Sequence, residues 1–354
     1  MDVCLLTSLP TELLVAISEY LLDEDKVNLM QCSQDLHNLK HLLRFDKEIK
    51  LSQIMKHKYQ GNFTHIIVDF DRYYKQLPKS VTHLTFDKLF YWPLRALIPR
   101  SVTHLTFGER FNQPLDANIP FGVTHLTFGN SFNQELKDSI PASVTHLTFG
   151  RVFNHPLSKS IPDSVTHLTF GVYFNQPLGT SIPASVTHLS LGFWFNQSLG
   201  TSIPVSVTHL TFKYAFNQAL NNSIPSSVLH LTFGYWFNQP LGTSIPESVT
   251  HLTFGHNFNH PLNTSIPASV THLTLGGRFD QPLGTSIPDS VTHLTLGASF
   301  NQPLGSSIPT SVTHLTLGYY FKHELIIPST VIELNISTNY EGDTSKYAKI
   351  IKKN

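Results

Sequence analysis

The sequence predicts a repeat solenoid of parallel β-strands, preceded by a small all-α region. The tripeptide Val-Thr-His recurs every 21 residues from Val81 to Val312, and Leu229 replaces the threonine in one copy, so twelve copies run without an insertion or deletion. A period of this size is typical of one supersecondary unit stacked on itself. The first 45 residues lack the repeat and carry leucines at helical spacing instead.

Three short helices are predicted in the N-terminal region. Pro10, Thr11 and Glu12 suit the first turn of a helix. The run from Asp23 to Asp25 suits the start of a second helix, because acidic side chains are favourable at the positive N-terminal end. The apolar residues of the three helices are Leu13, Leu14, Ile17 and Leu21, then Val27 and Met30, then Leu36, Leu39, Leu42 and Leu43. A bundle of this size has a small core, so we expect it to be stabilised by packing against a partner or against the first coil.

Each repeat is predicted to open with a strand and to return without a helix. In the fourth copy Leu147 and Phe149 alternate with His146 and Thr148, and Gly150 ends the run, which is typical of a half-buried strand. Identical strands side by side satisfy each other's backbone groups. Apolar residues at positions 1, 4 and 6 match the strand of the leucine-rich repeat. The return arm has two apolar residues and then a proline, so we expect an extended or 3₁₀ conformation there.

Two columns of identical residues are predicted to be structural. The first contains asparagine just past the strand, from Asn112 to Asn301, with Asp280 substituting once. Its side-chain amides can pair with loop backbone groups and with one another. The second contains phenylalanine, from Phe111 to Phe321, and forms an aromatic spine in which each ring contributes about 2 to 3 kcal/mol by burial.

A third column contains histidine, from His83 to His314, and is predicted to lie on the solvent side of the sheet. Protonating adjacent imidazoles brings like charges together, so we expect folded-state pKa values below about 6.5 and lower stability below that pH. A metal-binding ladder is an alternative, although one line of imidazoles offers two neighbours to an ion and zinc prefers four ligands. No Ser, Cys or Asp column accompanies the histidines, so no catalytic site is predicted.

Two dipeptides give each repeat a recognisable signature. Phe-Asn stands at positions 10 and 11 and Ile-Pro at positions 18 and 19, as in Phe174-Asn175 and Ile182-Pro183, within the surrounding SVTHLTFG and NQPL. The repeat resembles the FNIP repeat of amoebal and giant-virus proteins, over roughly residues 63 to 336. FNIP repeats are regarded as relatives of leucine-rich repeats, so the resemblance implies the same kind of coil.

The N-terminal region carries a second signature. Leu9-Pro10 is followed by Glu12-Leu13 and by apolar residues at helical spacing. This run resembles an F-box, which packs against the Skp subunit of cullin-type ubiquitin ligases. The resemblance implies that a Skp-type subunit contacts Leu9, Pro10, Leu13, Ile17, Leu21 and Val27. The tryptophan often found in the third helix of that family is replaced here by Leu39 or a neighbour.

Target recognition is predicted at the positions that vary between copies. Positions 8 and 9, just past the strand, carry aromatic residues in four successive coils. The candidate target-binding residues are Tyr173, Phe193, Trp194, Tyr214, Tyr235 and Trp236. Clusters of exposed tryptophan and tyrosine are typical of protein-contact hot spots. The alternative is that these rings fold over the loops and pack on their neighbours.

Composition favours an intracellular binding protein. Lysine plus arginine equal aspartate plus glutamate, 24 each, so no overall field steers the chain to nucleic acid or to a membrane surface. The two cysteines, Cys4 and Cys32, lie outside the repeats, which fits a reducing compartment. The N-terminus lacks the basic region of a signal peptide, and no apolar stretch is long enough to span a membrane. We expect a cytoplasmic protein, in the host cytoplasm if the source is viral.

The sequence thus predicts four segments and one function. The segments are an F-box-like helical region at 1–45, a linker or N-terminal cap at 46–62, the FNIP solenoid at 63–336 and a tail at 337–354. The predicted function is that of an F-box-type substrate adaptor of a Skp/cullin ubiquitin ligase. The solenoid would supply the protein-binding surface, without enzymatic activity, metal or cofactor. The alternative is an interaction or decoy scaffold unrelated to ubiquitin, in which the helices act only as a cap.

Overall fold

The computed structural model describes residues 9–54, 60–69, 77–94 and 97–353. Cys4 and residues 55–59 of the predicted linker lie outside these ranges. The chain divides into two units, Met1–Gly150 and Arg151–Asn354. None of the helices in the described ranges is long and apolar enough to cross a membrane.

The helices of the described chain are short. They are α1 (Thr11–Ser18), α2 (Asp23–Gln31), α3 (Gln34–Asn38) and α4 (Leu51–Ile54), with 3₁₀ turns at Leu39–His41, Gln60–Asn62 and Ser345–Tyr347. The three predicted N-terminal helices are therefore confirmed. The carbonyl oxygen of Pro10 accepts the first backbone bonds of α1, and the Ser33 hydroxyl caps α3 by accepting from the backbone N–H of Leu36 at 3.1 Å.

The described residues of the first unit form six parallel strands that pair in chain order. They are β1 (Ile49–Lys50), β2 (His65–Val68), β3 (His83–Phe86), β4 (His104–Thr106), β5 (His125–Thr127) and β6 (His146–Thr148). Equivalent residues face each other across neighbouring repeats, as His104 pairs with His125. A slip of one residue would turn the leucines to solvent, so burial of one face maintains this register.

From residue 151 to residue 353, the second unit forms ten strands in the same arrangement. They are β7 (His167–Thr169), β8 (His188–Ser190), β9 (His209–Thr211), β10 (His230–Thr232), β11 (His251–Thr253), β12 (His272–Thr274), β13 (His293–Thr295), β14 (His314–Thr316), β15 (Glu333–Ile336) and β16 (Ile351–Lys353). The last strand belongs to the segment that the sequence assigns to the tail, and it pairs with β15. Every one of the twelve repeats thus contributes one strand, which confirms the predicted 21-residue coil.

Most strands are shorter than the six-residue segment that the alternation predicts. In eleven of the twelve repeats only three residues, such as His209–Thr211, keep regular pairing. The chain bends just before them, because the backbone N–H groups of Thr208 and His209 both donate to the carbonyl oxygen of Thr187, at 2.9 and 3.1 Å. The flanking valine and phenylalanine still point into the core, so the burial pattern extends beyond the strand.

The core of each coil consists of the columns that the sequence predicts. In the coil that begins at Val207, the side chains of Val207, Leu210, Phe212, Phe216 and Leu220 are all buried. The Phe212 and Phe216 rings lie 4.0 Å apart between centroids, and Phe216 stacks on Phe237 of the next coil at 6.1 Å. The predicted aromatic spine is therefore confirmed within each unit.

The asparagine column joins neighbouring coils as predicted. The backbone N–H of Asn196 donates to Oδ1 of Asn175 at 2.9 Å, and Nε2 of Gln197 donates to the same oxygen at 3.1 Å. Asp280 performs the same role, because its Oδ1 accepts from the backbone N–H of Asn301 at 2.9 Å. The same backbone bond is repeated along the column, and the accompanying side chain is usually glutamine, whereas His260 and His323 contact the backbone oxygens of Asn238 and Asn301 instead.

The return arm is extended and contains no helix in any described repeat. It turns after the buried leucine at position 14, where the backbone adopts positive φ angles, as at Gly200 with φ 53° and Asn221 with φ 47°. Glycine and asparagine tolerate this conformation best, which explains their frequency at this point of the repeat. The extended alternative predicted for this side of the coil is confirmed.

Candidate functional site

The six candidate target-binding residues Tyr173, Phe193, Trp194, Tyr214, Tyr235 and Trp236, named here the aromatic surface, all lie in the second unit. They occupy the loops that follow β7 to β10. These loops are themselves held in register, because the backbone N–H of Ala215 donates to Phe193 and that of Trp236 to Tyr214, each at 2.8 Å. The aromatic side chains therefore project from a regular backbone edge.

The rings at position 8 form one parallel column. Phe193 and Tyr214 stack with centroids 4.3 Å apart and planes 7° apart, and Tyr214 and Tyr235 follow at 5.0 Å and 18°. His256 extends the column by stacking on Tyr235 at 4.6 Å. The alternative of neighbour packing is therefore correct for these rings, whose flat faces contact each other.

The rings at position 9 remain open to solvent. The exposed fractions of Trp194 and Trp236 are 44% and 46%. Tyr173 is also exposed, and the guanidinium carbon of Arg151 lies 5.5 Å from its ring centroid. A cation over a tyrosine ring is favourable by about 0.5 to 1 kcal/mol at an exposed site. The aromatic surface thus has a packed inner column and an exposed outer set of rings.

Two residues beside the aromatic surface were missed by the sequence analysis. Lys213 occupies position 7, where glycine is usual, and its Nζ donates to the carbonyl oxygen of Phe170 at 3.3 Å, while burial lowers its pKa. Asn257 is buried and its Oδ1 lacks a hydrogen-bond partner. The departure from glycine was the sequence signal for Lys213, whereas nothing in the sequence distinguished Asn257.

The predicted Skp-contacting residues form a partly exposed apolar face on the helices. Leu13 and Ile17 lie one turn apart on α1 and are 47% and 36% exposed, and Val27 on α2 is 42% exposed. Pro10 is exposed as well, while Leu9 and Leu21 are half-buried. The opposite side of the helices packs inward, since Leu14, Leu29, Leu36 and Leu43 line one small apolar interior. Tyr20 and Leu22, which were not predicted as contacts, are also exposed.

Helix α2 is joined to the chain just ahead of β1. The Asp23 carboxylate accepts from the backbone N–H groups of Asp46 and Lys47 at 3.3 and 2.6 Å. The buried Lys26 ammonium donates to Asp23 at 3.1 Å and to the carbonyl oxygen of Arg44 at 2.7 Å. Burial opposes the charge on Asp23, but these donors together hold its pKa below the usual value. These bonds fix the start of α2 against the segment that precedes β1.

An apolar groove lies between α2 and the start of the sheet. Its volume is about 850 Å³, and its lining includes Val27, Met30, Phe45, Ile49 and Phe63. Val27 therefore belongs both to the predicted Skp-contacting set and to the wall of this groove.

The histidine column consists of stacked, half-buried imidazoles. The rings of His104 and His125 lie 4.2 Å apart between centroids with planes 13° apart. Thr103 Oγ1 lies 2.9 Å from Nδ1 of His104 and 3.2 Å from the carbonyl oxygen of Thr82. The Thr103 hydroxyl donates its proton to the carbonyl oxygen of Thr82, so it can only accept a hydrogen bond from the ring of His104. The ring proton is therefore assigned to Nδ1, and Nε2 is the unprotonated nitrogen.

This geometry does not suit chelation of a metal ion. The Nε2 lone pair lies in the ring plane, so parallel stacked rings direct their lone pairs side by side and cannot both reach one ion at about 2.0 Å. Within the described residues no group of three or more His, Cys, Asp or Glu could hold a metal ion.

The pKa values of several histidines in the column are lowered, as the sequence predicts. Burial is the leading cause for His83, whose pKa falls to about 4, and the neighbouring His65 and His104 lower it further. Burial and then neighbouring histidines also lower the pKa values of His104, His188, His209, His251, His272 and His293. Repulsion between neighbouring charges, the predicted cause, therefore contributes to the lower pKa values, but desolvation of the rings comes first.

The protein is expected to lose stability as the pH falls below about 6.5. Below the unfolded-state pKa of about 6.5 the unfolded histidines take up more protons than the folded histidines whose pKa is lowered, so the free energy of unfolding falls as the pH falls. The rings are partly exposed, so solvent screening reduces the loss per histidine. We expect the melting temperature, followed by circular dichroism, to be at least about 5 °C lower at pH 5.5 than at pH 7.5. The double variant His209→Gln and His272→Gln should show a smaller difference. Equal melting temperatures at the two pH values would contradict this explanation.

These observations define a repeat-solenoid scaffold of the leucine-rich-repeat type. The chain belongs to the FNIP repeat family, whose model matches residues 74–110, 111–151, 153–193, 195–235, 237–278, 258–299, 279–307 and 300–339. The match confirms the FNIP resemblance that the sequence indicated.

A solved structure of similar fold supports the assignment of the solenoid. The crystal structure of CroV588, described as a novel circular leucine-rich-repeat protein, is similar with a TM-score of 0.73 and 39% sequence identity. The similarity covers 79% of this chain and 44% of the CroV588 chain, so this chain spans less than half the length of that protein. Comparison with curated proteins gives no match.

Proposed function

We propose that this protein is a non-catalytic, cytoplasmic F-box-type adaptor that joins a Skp-type subunit of a cullin ubiquitin ligase to a target protein. The carrying observation is the exposed apolar face formed by Leu13, Ile17 and Val27. Three large apolar side chains, each more than a third exposed on two short helices, are typical of a contact surface for another protein. They coincide with positions at which the F-box resemblance implies Skp contacts.

The solenoid supplies the second half of the proposed function. Its aromatic surface presents Trp194 and Trp236 from a backbone edge held by bonds between coils. Tryptophan and tyrosine on a rigid edge lose little conformational entropy on binding, which favours their use as interface anchors. We propose that the target protein binds this surface.

The rival proposal is an interaction scaffold unrelated to ubiquitin, in which the helices only cap the sheet. The bonds from Asp23 and Lys26 to the segment ahead of β1 favour a capping role. Capping involves the buried side of α2, however, and does not explain why the apolar side chains of Leu13 and Ile17 are exposed. The adaptor proposal accounts for both sides of the helical region.

Binding of the purified full-length chain to a purified Skp-type subunit separates the two proposals. The variant Leu13→Glu with Ile17→Glu should weaken binding at least about 100-fold, because two charges would be buried in an apolar interface. Both residues are exposed, so the melting temperature should stay within a few degrees of the wild type. The matched control Phe121→Glu with Val205→Glu changes two exposed apolar residues of the solenoid and should bind normally. A wild-type chain that folds and does not bind the Skp-type subunit would refute the adaptor proposal.

A further inference from the structure

We propose that the aromatic surface binds a proline-rich segment in the polyproline II conformation, with acidic residues on both sides of the prolines. This inference rests on the proposed function, because it names the kind of target segment that the solenoid recognises. Four features of the surface support it: the orientation of the indoles, their spacing, the state of the loop backbone and the distribution of charge.

The two indoles offer open flat faces. Trp194 stands at 75° to Phe193 and 76° to Tyr214, and Trp236 stands at 85° to Tyr214 and 68° to Tyr235. Both faces of Tyr214 are covered by its stacked neighbours, so the indoles reach only its edge. Each indole therefore lies alongside the column and keeps exposed surface on the side turned away from it. Proline rings pack well on such apolar aromatic faces.

The spacing of the indoles matches a polyproline II helix. Trp194 and Trp236 occupy position 9 of coils that are two repeats apart, which places their attachment points about 9.6 Å apart at two strand spacings. A polyproline II helix repeats every three residues, or about 9.3 Å. Ala215 occupies position 9 of the coil between them, and its small side chain leaves space for the intervening residues of the ligand. Prolines at i and i+3 would therefore meet the two indoles.

The backbone of the loops favours this ligand over an added β-strand. The N–H groups of Ala215 and Trp236 are already bonded to the preceding coils at 2.8 Å. A strand-forming peptide would need such donors for pairing. A polyproline II segment needs no backbone pairing and loses little entropy on binding, because its conformation is already fixed.

Charge around the aromatic surface favours acidic flanks on the ligand. In the sequence, positions 8 and 9 carry no Asp or Glu in any coil from Arg151 to Tyr320. Arginine stands at these positions on both sides of the aromatic surface, at Arg151 and Arg278. The two arginines are six coils apart, about 29 Å, which nine or ten residues of polyproline II span at about 3.1 Å each. Acidic residues at both ends of such a segment would lie close to the two guanidinium groups.

Fluorescence anisotropy of a labelled peptide tests the proposal on the full-length chain. The probe is ten prolines flanked at each end by two glutamates. The variant Trp194→Ala with Trp236→Ala should weaken binding at least about 20-fold. The matched control Tyr319→Ala with Tyr320→Ala removes an exposed aromatic pair from the same positions of another coil and should change affinity less than twofold.

Two further peptides test the conformation and the charge. Lysine flanks in place of glutamate should weaken binding at least about fivefold at low salt, and about 0.5 M salt should remove the difference. Replacing alternate prolines with glycine should weaken binding about tenfold, because the segment loses its preformed helix.

Three outcomes would overturn the proposal. The first is that the peptide does not bind at a concentration of about 1 mM. The second is that the wild type and the tryptophan variant bind the peptide with equal affinity. The third is that a six-unit glucose oligosaccharide or a ten-nucleotide RNA binds through the same tryptophans in place of the peptide. Binding to the Skp-type subunit is measured separately through Leu13 and Ile17. If the peptide does not bind, the adaptor proposal is unaffected. If the Skp-type subunit does not bind, the peptide measurement still tests the aromatic surface.

Discussion

A single methyl group added at Gly255 is expected to lower the free energy of unfolding by at least about 3 kcal/mol. A Cβ atom at this position would lie 1.8 Å from the carbonyl oxygen and 2.3 Å from the carbonyl carbon of Gly234 in the preceding coil. Both clashing atoms belong to the backbone, so the variant Gly255→Ala can be accommodated only by moving two coils apart. Urea denaturation followed by circular dichroism measures the loss, and the intrinsic fluorescence of the three tryptophans follows the same transition.

The matched control is Gly242→Ala in the neighbouring turn. An added Cβ there meets nothing within 4 Å, and the residue has φ 55°. The left-handed conformation alone should cost about 1 to 2 kcal/mol. If the two alanine variants lose the same stability, close stacking of the coil backbones is not what holds the repeats together.

Lys213 shows how a coil accommodates a side chain at this glycine position. The preceding Gly192 differs from the other glycines of the column, because an added Cβ there would meet the carbonyl oxygens of Phe174 and Gly171 at 2.6 and 2.7 Å. The backbone at Gly192, just before the coil that contains Lys213, is therefore oriented differently from the backbone at the other glycines of the column. Substitution of Gly255 alone lacks this compensating change.

Replacing Phe237 with alanine should cost about 3 to 5 kcal/mol. The ring is fully buried and stacks 4.0 Å from Phe233, 6.1 Å from Phe216 and 6.2 Å from Phe258. Its removal leaves a cavity that three neighbouring rings cannot fill, because each is fixed by its own coil. Urea denaturation of the full-length variant measures the cost.

A phenylalanine outside the spine provides the comparison. Phe121 is 74% exposed, so the variant Phe121→Ala should change the free energy of unfolding by less than about 0.5 kcal/mol. A small effect of Phe237→Ala, similar to that of Phe121→Ala, would contradict a core built on the phenylalanine column.

The repeat made most of the fold predictable from the sequence. A fixed period with apolar residues at positions 1, 4 and 6 allows one coil geometry, and the same side chains recur at the same height in every copy. The role of Asn175 was predictable for this reason, since identical amides at each level face identical backbone groups. The shortness of the strands was not predictable, because it depends on two N–H groups, such as those of Thr208 and His209, sharing one carbonyl.

The sequence predicted which residues belong to the candidate site, but it did not predict how their side chains are oriented. The aromatic surface was visible as rings at positions 8 and 9, whereas the division between the stacked Tyr214 and the open Trp194 depends on side-chain orientation, which the repeat does not specify. The cap contacts of Asp23 and Lys26 were missed, because they join segments about 20 residues apart outside the repeat. The N-terminal apolar set was predicted from the F-box resemblance, and Leu13 and Ile17 are its most informative members because they are exposed.

We propose that one chain carries two independent protein-binding surfaces, one on its N-terminal helices and one on its solenoid. The most direct measurement takes the Leu13→Glu, Ile17→Glu variant and the Trp194→Ala, Trp236→Ala variant, and determines the affinity of each for the Skp-type subunit and for the glutamate-flanked decaproline. We expect each variant to lose one ligand and to keep the other within about twofold of the wild-type affinity. The proposal would be contradicted if one correctly folded variant lost both ligands. It would also be contradicted if both variants kept both ligands.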